Sequence, residues 1–303
     1  MKQPIRVAAM LCLLVMLFGA LAACTTKAPA ADPTQTPDTT QPPSSDATDA
    51  PSNSNYIMLA EKLEDEQFGI GFRKDDYALA LAVQDAIDAI IADGSAAAIS
   101  ETWFGEDRFI SDAEFPRATE ENDDDKSLEK VQTAGKLLVG LDIGFAPMGY
   151  YDDNNEIIGF DIDFAKAVCA KLNLEMELVP IVWSAKEMEL SNGKIDCIWN
   201  GMTINDSRVE AMFVSKPYLS NAQVVVVKND GSINAIADLT GKKVSLQDGS
   251  SAAEAIEGHD VFESLTAVQA FDDNFAAFQE LKTGRVDALV IDLVMAEYLL
   301  SKN

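Results

Sequence analysis

The chain has 303 residues and a formal net charge of −27, and 48% of its residues are hydrophobic. Such acidity argues against nucleic acid as a partner and against broad docking on anionic lipid, because phosphate-rich surfaces are bound through Lys and Arg. The apolar fraction allows a packed core, and the length left after a leader and a linker suits one large domain or two modest ones.

The beginning of the chain has the pattern of an export signal. A positively charged start precedes an apolar run over residues 7–21, which is too short to be a convincing membrane span. The sequence LAAC at 21–24 follows and resembles a bacterial lipobox, in which the Cys receives a diacylglycerol and the leader is cut just before it. We therefore expect a signal peptide over 1–23 and a lipid attached to Cys24. The alternative is an ordinary leader that is cleaved after Ala23.

Residues 24–55 carry hardly any large apolar side chains. The segment after the Cys is TTKAPAADPTQTPDTTQPPSSDATDAPSNSN, which is nearly all Thr, Ser, Pro, Asp, Ala and Gln. Such a composition cannot bury a core, so we expect a disordered spacer. A spacer of this length could hold a folded domain tens of ångströms from a membrane.

The folded region is predicted to begin with a strand and two helices. FGIGFR at 68–73 predicts a strand, and the spacing of apolar residues predicts a helix over 76–92 that ends at an Asp-Gly pair. A short second helix is predicted over 95–103. Residues 106–127 lose this periodicity and carry an acidic run, and we assign a linker to 106–130.

Strands and helices then alternate to the end of the chain. Strands are predicted at 137–141, 175–180, 195–199, 222–228, 243–246 and 288–291, and helices at 159–172, 251–258 and 275–283. The strand at 222–228 (AQVVVVK) is apolar almost throughout, so we expect it to be buried. This alternation indicates α/β layers with mostly parallel sheets, in which a ligand lies at the carboxyl ends of the strands.

The few Cys and His residues argue against a metal site. Cys169 and Cys197 are the one pair available for a disulfide after the leader and Cys24, and each lies in an apolar stretch, so we favour two buried reduced thiols. The single His259 lies between Gly and Asp, which indicates a loop. These residues give no zinc cluster, and we expect neither a metal ion nor another cofactor.

Six short motifs are spread over residues 140–292. They are G-x-D-x-x-F-x-P at 140–147, G-F-D-I-D at 159–163, N-G-M-T-I-x-x-x-R at 200–208, P-Y at 217–218, Q-x-G-S-S at 247–251 and V-D-A-L-V-I-D at 286–292. The set in this spacing resembles the periplasmic-type amino-acid-binding proteins of ABC importers, extracellular solute-binding family 3. The resemblance implies a two-lobed α/β fold, the type II periplasmic-binding-protein-like fold. Its two mostly parallel or mixed sheets are flanked by helices and joined by two hinge strands.

The order of the segments departs from that family. Residues 66–105, which end in W-F-G, resemble the segment that normally closes the family's sequence, yet here they come first. We interpret the chain as circularly permuted, with the old termini joined by the linker at 106–130. The alternative is a remnant of a tandem gene.

The permutation assigns the lobes. Lobe 1 is predicted at 131–221 and lobe 2 at 222–303, while 56–105 supplies the end of lobe 2, a hinge strand and the helices of lobe 1. The strands at 68–73 and 222–228 are expected to cross between lobes that close on the ligand.

The resemblance places residues of known role on this chain. Arg208 falls on the family's carboxylate-binding arginine, whose planar fork can take both oxygens. Asp292 falls on the residue that binds the ligand ammonium group. The alternatives are a surface Arg and an Asp that caps the next helix. Thr203 and the main chain at Gly201 are expected to hydrogen-bond the ligand backbone.

Two further groups follow from the same resemblance. Gly249, Ser250 and Ser251 precede a helix whose free N–H groups can receive a carboxylate, with plain N-capping as the alternative. Phe145 and Trp183 align with aromatic residues that sandwich the ligand side chain, with core packing as the alternative. We assign no catalytic residue.

Two polar residues indicate the class of ligand. Asp142 and Gln247 fall where the family contacts the far end of the ligand side chain, and Asp142 favours a donor-bearing one: glutamine, arginine, lysine or histidine. The implied partners are a free polar or basic amino acid and the membrane subunits of an ABC permease. We expect an extracytoplasmic monomer, anchored to the cell membrane through its lipid.

Two other classes of function stay open. A sensor domain could use the same lobes to signal, although the chain shows no membrane helix or output domain after its leader. A dehydratase-like enzyme on the same fold is the other alternative. The motifs H-E-x-x-H and G-x-S-x-G and a phosphate loop are all missing from the sequence.

Overall fold

The structure is a computed structural model, and it describes residues 55–113 and 124–302. The predicted signal peptide, Cys24, nearly all of the predicted spacer and the middle of the predicted linker lie outside the described residues.

The elements alternate along the chain as predicted. The strands are β1 (Tyr56–Phe72), β2 (Lys136–Leu141), β3 (Gly144–Phe145), β4 (Gly149–Tyr151), β5 (Ile157–Ile158), β6 (Glu175–Pro180), β7 (Cys197–Thr203), β8 (Phe213–Val214), β9 (Leu219–Lys228), β10 (Lys243–Gln247), β11 (Ala267–Phe271) and β12 (Ala288–Asp292). The helices are α1 (Tyr77–Ala92), α2 (Ser95–Phe104), α3 (Ser127–Ala134), α4 (Phe160–Leu172), α5 (Lys186–Ser191), α6 (Asp206–Ala211), α7 (Ser251–Glu257), α8 (Asn274–Thr283) and α9 (Leu293–Lys302). Every predicted helix and strand has a counterpart, while α3, α5, α6, α9, β11 and the strands of two or three residues were not predicted.

One mixed sheet runs through the fold in the order β11-β10-β12-β9-β1-β7-β2-β6. At one end β10 pairs in parallel with β11 and β12, and at the other end β2 pairs in parallel with β6 and β7. The strands β9 and β1 lie between these two parts and pair antiparallel with each other and with their outer neighbours. The two predicted sheets are therefore continuous through the hinge strands. We call the part around β2, β6 and β7 lobe 1 and the part around β10, β11 and β12 lobe 2.

The strand β1 is much longer than predicted. It pairs with β9 from Tyr56 opposite Lys228 to Phe68 opposite Leu219, with register shifts near its start. It then pairs with β7 as far as Phe72. Its last five residues are buried, and these are the ones that the apolar pattern revealed. The earlier residues include the polar run EKLEDEQ, which carries no strand pattern, so this half was missed.

The helices cover both faces of the sheet. In lobe 1, α1 and α2 pack against α4, and the apolar residues predicted for α1 are the ones that are buried. In lobe 2, α8 packs on β10 and β12, and α9 packs on β9 and β12. The predicted α/β architecture, with a mixed sheet flanked by helices, is confirmed.

The two cysteines of the folded region are buried and free, as predicted. Cys169 lies on α4 and Cys197 on β7, and burial raises the pKa of both thiols. His259 lies in the turn after α7, which agrees with the predicted loop.

The described ends of the predicted linker are packed on the folded region. The ring of Phe109 lies 4.8 Å from that of Phe164, and its backbone forms a bridge with Leu219. At the other end, a carboxylate oxygen of Asp125 accepts from the backbone of Ala78 at the start of α1 (2.6 Å). The helix α3 begins inside the segment assigned to the linker, because its eight residues are too few for a clear periodic pattern.

Candidate ligand-binding site

A small cavity lies between the lobes, with about 260 Å³ of space between its atoms. Its lining comprises Asp142, Phe145, Trp183, Asn200, Gly201, Thr203, Arg208, Gln247, Ser250, Ser251 and Asp292. Thr203, Gln247 and Asp292 are each the last residue of a strand. The cavity therefore lies at the carboxyl ends of strands from both lobes, as predicted. Of the eleven residues predicted to bind ligand, only Gly249 is outside this lining.

Arg208 is a buried cation at one end of the cavity. Its guanidinium donates to the carbonyl oxygens of Thr203 (2.7 Å) and Gly249 (3.4 Å) and lies 6.0 Å from the ring centre of Trp183. Among the described residues no carboxylate is within 4.0 Å of it, and burial lowers its pKa from the ordinary value. An unpaired charge in a dry site is costly, so this end of the cavity is suited to an anion.

Lys186 is a second buried cation at the same end, and the sequence did not reveal it. Its Nζ donates to the carbonyl oxygen of Gly249 (2.9 Å), pairs with Glu187 (3.1 Å) and lies 5.0 Å from the ring centre of Trp183. Burial, and then the charge of Arg208, lower the pKa of Lys186. The available signal was its place one helical turn after a predicted aromatic site residue.

Asp292 is a buried carboxylate at the other end of the cavity. Its Oδ1 accepts hydrogen bonds from the side-chain amides of Asn221 (2.8 Å) and Gln223 (2.9 Å). Burial, and then the charge of Glu66, raise the pKa of Asp292 to about 8. No Lys or Arg of the described segments forms an ion pair with it. This end of the cavity is therefore suited to a cation.

Glu66 lies beside Asp292 and is a residue that the sequence analysis missed. Its Oε2 accepts from the hydroxyl of Thr203 and from the amides of Asn221 and Gln223, each at 3.0 Å. Glu66 belongs to the polar run of β1, which has no informative pattern. Asn221 and Gln223 did carry a signal, because they are polar, buried residues at alternate positions just before the apolar run VVVV of β9.

Asp142 and Gln247 join the two lobes across the cavity. The amide of Gln247 donates to Asp142 Oδ2 (2.5 Å), and its carbonyl oxygen accepts from Asn274 (3.1 Å). Asn200, which was not predicted as a site residue, fixes this region because its Oδ1 accepts from the backbone of Asp142 (3.0 Å). Burial is the largest cause that raises the pKa of Asp142.

The predicted aromatic residues line the cavity and also pack in the core. Phe145 and Trp183 are each 5% exposed. Gly201 has a φ of +56°, and a side chain there would collide with the ring of Phe145. Its N–H donates to the buried Asp161 (2.7 Å), which also accepts from the hydroxyl of Tyr218 (3.0 Å). The G-F-D-I-D motif therefore holds the backbone of the cavity wall.

The start of α7 contacts the other lobe. Ser251 Oγ lies 3.0 Å from Thr203 Oγ1 in the other lobe, and Ser250 makes no capping hydrogen bond through its side chain. Gly249 has a φ of +69°, and a Cβ atom there would stand 2.8 Å from the Cα atom of Ser184. The structure thus places Gly249 at the contact between the lobes, with its carbonyl oxygen facing the two cations.

The described residues show neither a candidate metal site nor a candidate membrane span. Within 55–113 and 124–302, no group of three or more His, Cys, Asp and Glu residues is arranged to hold a metal ion. No helix in the same ranges combines the length and apolar character needed to cross a membrane.

Comparison with known proteins gives consistent matches. The family model described as bacterial extracellular solute-binding proteins, family 3, matches residues 137–287. The L-cystine-binding protein TcyJ of Escherichia coli (strain K12) is 34% identical over 186 residues, which cover 59% of this chain and 67% of that protein.

Two solved structures extend the comparison. The arginine-bound form of truncated ArgBP from T. maritima has a TM-score of 0.54 and 36% identity, covering 58% of this chain and 82% of that one. A substrate-binding protein of an ABC uptake transporter from Streptococcus pneumoniae, with bound histidine, has a TM-score of 0.56 and 36% identity, covering 58% and 74%.

Proposed function

The chain belongs to the bacterial extracellular solute-binding proteins, family 3, and on that premise we propose that it captures a free polar or basic L-amino acid between its lobes. It delivers this ligand to the membrane subunits of an ABC-type permease and acts as a monomer without catalytic chemistry. One observation carries the proposal: the cavity has an unpaired buried cation, Arg208, at one end and an unpaired buried carboxylate, Asp292, at the other. A zwitterionic amino acid matches this arrangement with opposite charges.

The α-carboxylate of the ligand binds at the Arg208 end. The guanidinium offers two parallel donors, which suit both oxygens of a carboxylate. The backbone N–H groups at the start of α7 add donors. Lys186 lies behind this end and increases the positive potential.

The α-ammonium group binds at the Asp292 end. A charge that is stripped of water needs a partner of opposite sign, and Asp292 is such a partner on the cavity wall. Asn221 and Gln223 hold the carboxylate in place through their amides.

The side chain of the ligand extends toward Asp142 and Gln247, past Phe145 and Trp183. In the structure these two polar groups bond to each other (2.5 Å). A ligand with its own hydrogen-bond donor replaces that contact at Asp142, whereas an apolar side chain would leave the buried carboxylate unpaired. Glutamine, arginine, lysine and histidine are the candidate ligands. Relatives described as binding arginine and histidine support this class.

We further propose that the protein works outside the cytoplasm, attached through a lipid on Cys24, with residues 24–55 as a flexible spacer. The same proposal includes a circular permutation of the family's usual order. It is supported by the position of β1, which fills the centre of the sheet between β9 and β7 although it lies first in the folded region. Two described ends of the linker at 106–130 pack on lobe 1, as a joint between former termini requires.

The proposed function is tested by a thermal-shift screen of the purified protein against the twenty amino acids at millimolar concentration. A ligand that binds only the native state raises Tm, and we expect the largest rise with one of the four candidates. Isothermal titration calorimetry then measures its Kd. No rise with any amino acid, together with a rise for another class of solute, would contradict the proposal.

A further inference from the structure

Two carboxylates, and not one, stand at the ammonium end of the cavity. Glu66 on β1 and Asp292 on β12 lie on either side of β9 and share the two side-chain amides of that strand. Asn221 Nδ2 is 3.0 Å from Glu66 and 2.8 Å from Asp292, and Gln223 Nε2 is 3.0 Å and 2.9 Å from the same oxygens. Two atoms that share donors in this way lie within about 6 Å of each other.

Both carboxylates are buried, and neither has a cation in contact. Glu66 is 7% and Asp292 is 6% exposed, and no described Lys or Arg is within ion-pair distance of either. The charged groups around the pair are Lys62, Glu64 and Asp65 on β1, Arg208 on α6 and Glu254 on α7. Acidic groups prevail in this set, so it does not offset a second negative charge. Two buried like charges this close cannot both be ionised without a large penalty.

We propose that Glu66 is a positioning residue of the ammonium site, and that the Glu66–Asp292 pair holds one proton when the cavity is empty and releases it when an amino-acid ammonium group binds. This inference rests on the proposed function, because it takes the ammonium group to bind at Asp292. Glu66 is not in the cavity lining, so it acts through Asn221, Gln223 and Asp292.

The exchange conserves the charge of the site. In the empty state one proton and two carboxyl groups give a net charge of −1. On binding, the O–H bond of the protonated carboxyl breaks, its proton passes to water or buffer, and an N–H group of the ligand ammonium takes its place as donor to the carboxylate. Two carboxylates and one ammonium again give −1. The buried site therefore never has to hold an uncompensated second charge.

The direction of the pH dependence follows from the geometry and from the pKa of Asp292. Because burial and Glu66 raise this pKa to about 8, the empty site is protonated at pH 7, and the arriving cation lowers the pKa. A process that releases protons is favoured by rising pH. Affinity should therefore increase about tenfold per pH unit below pH 8 and level off above it, for as long as the ligand keeps its own ammonium proton.

Calorimetry of the full chain measures the released proton directly. L-Arginine, L-glutamine, L-lysine and L-histidine are each titrated at pH 7 in three buffers of different ionisation enthalpy, and the slope of heat against that enthalpy gives the protons released per ligand. We expect about 0.9 for a group with a pKa of about 8. Binding with no proton release would overturn the inference and leave the proposed function standing.

Glu66→Gln separates the proton from a purely structural role. The Gln carbonyl oxygen still accepts the hydrogen bonds of Thr203, Asn221 and Gln223, but the negative neighbour of Asp292 is gone. Because the burial of Asp292 remains, we expect the proton release to fall below the wild-type value without vanishing, and the pH slope of Kd near pH 7 to flatten. Glu64→Gln, an exposed position two residues earlier on the same strand, is the matched control and should release as much as wild type. Equal release by Glu66→Gln and wild type would contradict the role of Glu66.

A ligand-free measurement keeps the two proposals apart. Infrared spectra are recorded at pH 7 for wild type and for Asp292→Asn. The difference between them should contain the carbonyl stretch of a protonated carboxyl. The same band should be weaker in the difference between Glu66→Gln and Asp292→Asn. Failure of all twenty amino acids to bind, together with binding of another class of solute, would defeat the proposed function. The infrared spectrum would then still test whether the Glu66–Asp292 pair holds a proton, because a missing band shows that it holds none.

Discussion

The two ends of the cavity confine charge in different ways. Arg208 and Lys186 are held by backbone carbonyl oxygens and an aromatic ring, and Arg cannot lose its proton at any pH the protein meets. Asp292 and Glu66 are held by amide donors, and such a pair can take up a proton. Arg208 therefore keeps its charge when no ligand is bound, whereas the anionic end can take up one proton and lower its net charge from −2 to −1. Dependence of binding on pH near neutrality should come mainly from the anionic end, where the pKa of Asp292 is raised to about 8.

The largest effect is expected from removing the fixed charge. Arg208→Ala leaves the ligand carboxylate buried without a partner, and we expect it to weaken binding by at least about 2–5 kcal/mol, measured by calorimetry. Arg208→Lys keeps the charge without the planar fork, so its loss should be smaller. Either variant, if it still binds, should keep the dependence of Kd on pH that wild type shows. An unchanged Kd in Arg208→Ala would contradict the carboxylate role.

Contact between the lobes should matter almost as much as charge at the cationic end. In Gly249→Ala the new methyl group would stand 2.8 Å from the backbone of Ser184, so the lobes cannot meet without a shift. We expect Kd to rise about 10–100-fold, and small-angle scattering with ligand to show a more open molecule. Gly231→Ala carries a comparable backbone strain at a φ of +76° but meets nothing within 4 Å, and should bind normally. Equal affinities of the two variants would argue against this contact.

A smaller effect concerns the stability of the ligand-free protein. Burial raises the pKa of Asp292 to about 8 and that of Asp161 to about 7. At any pH between the ordinary pKa of a carboxyl and these raised values, the folded state binds more protons than the unfolded state. Stability contributed in this way is present in acid and is lost as pH rises. We expect Tm to fall by several degrees between pH 5 and 8, and the fall to be shallower in Asp292→Asn. A Tm that rises with pH over this window in wild type but not in the variant would contradict the sign.

The smallest effect is expected at the rim, outside the cavity. Arg108 pairs with Glu297 of lobe 2 (3.1 Å), and both side chains are partly exposed. Exposed pairs contribute about 0–1 kcal/mol, so Arg108→Ala should change Tm and Kd little, and less still at high salt. This variant is the control with which the losses of affinity in Arg208→Ala and Gly249→Ala are compared. A loss as large as that of Arg208→Ala would show that the rim, and not the cavity, controls closure.

Sequence and structure agree where a local pattern or a motif carries the information. The apolar run of β9 predicted a strand and the helical spacing in α1 predicted a helix. The motif at 200–208 predicted Arg208 as a site residue, and Arg208 lines the cavity. Glu66 was not predicted as a site residue because its position depends on pairing with a strand far along the chain. Nothing in the run EKLEDEQ indicates that strand. Lys186 was not predicted for a similar reason, because its contact with the carbonyl oxygen of Gly249 is made by the other lobe.

The central position of β1 has a consequence for how the chain reaches its fold. Its residues are made first in the folded region, yet Phe68 pairs with Thr203 and Leu219, about 135 and about 150 residues later. The middle of the sheet cannot assemble until most of the chain has been synthesised, and closing such long loops slows folding. Until then the last five residues of β1 stay exposed as an apolar segment. A chain with this order of strands therefore depends on protection from aggregation for longer during its synthesis than one whose neighbouring strands follow each other in sequence.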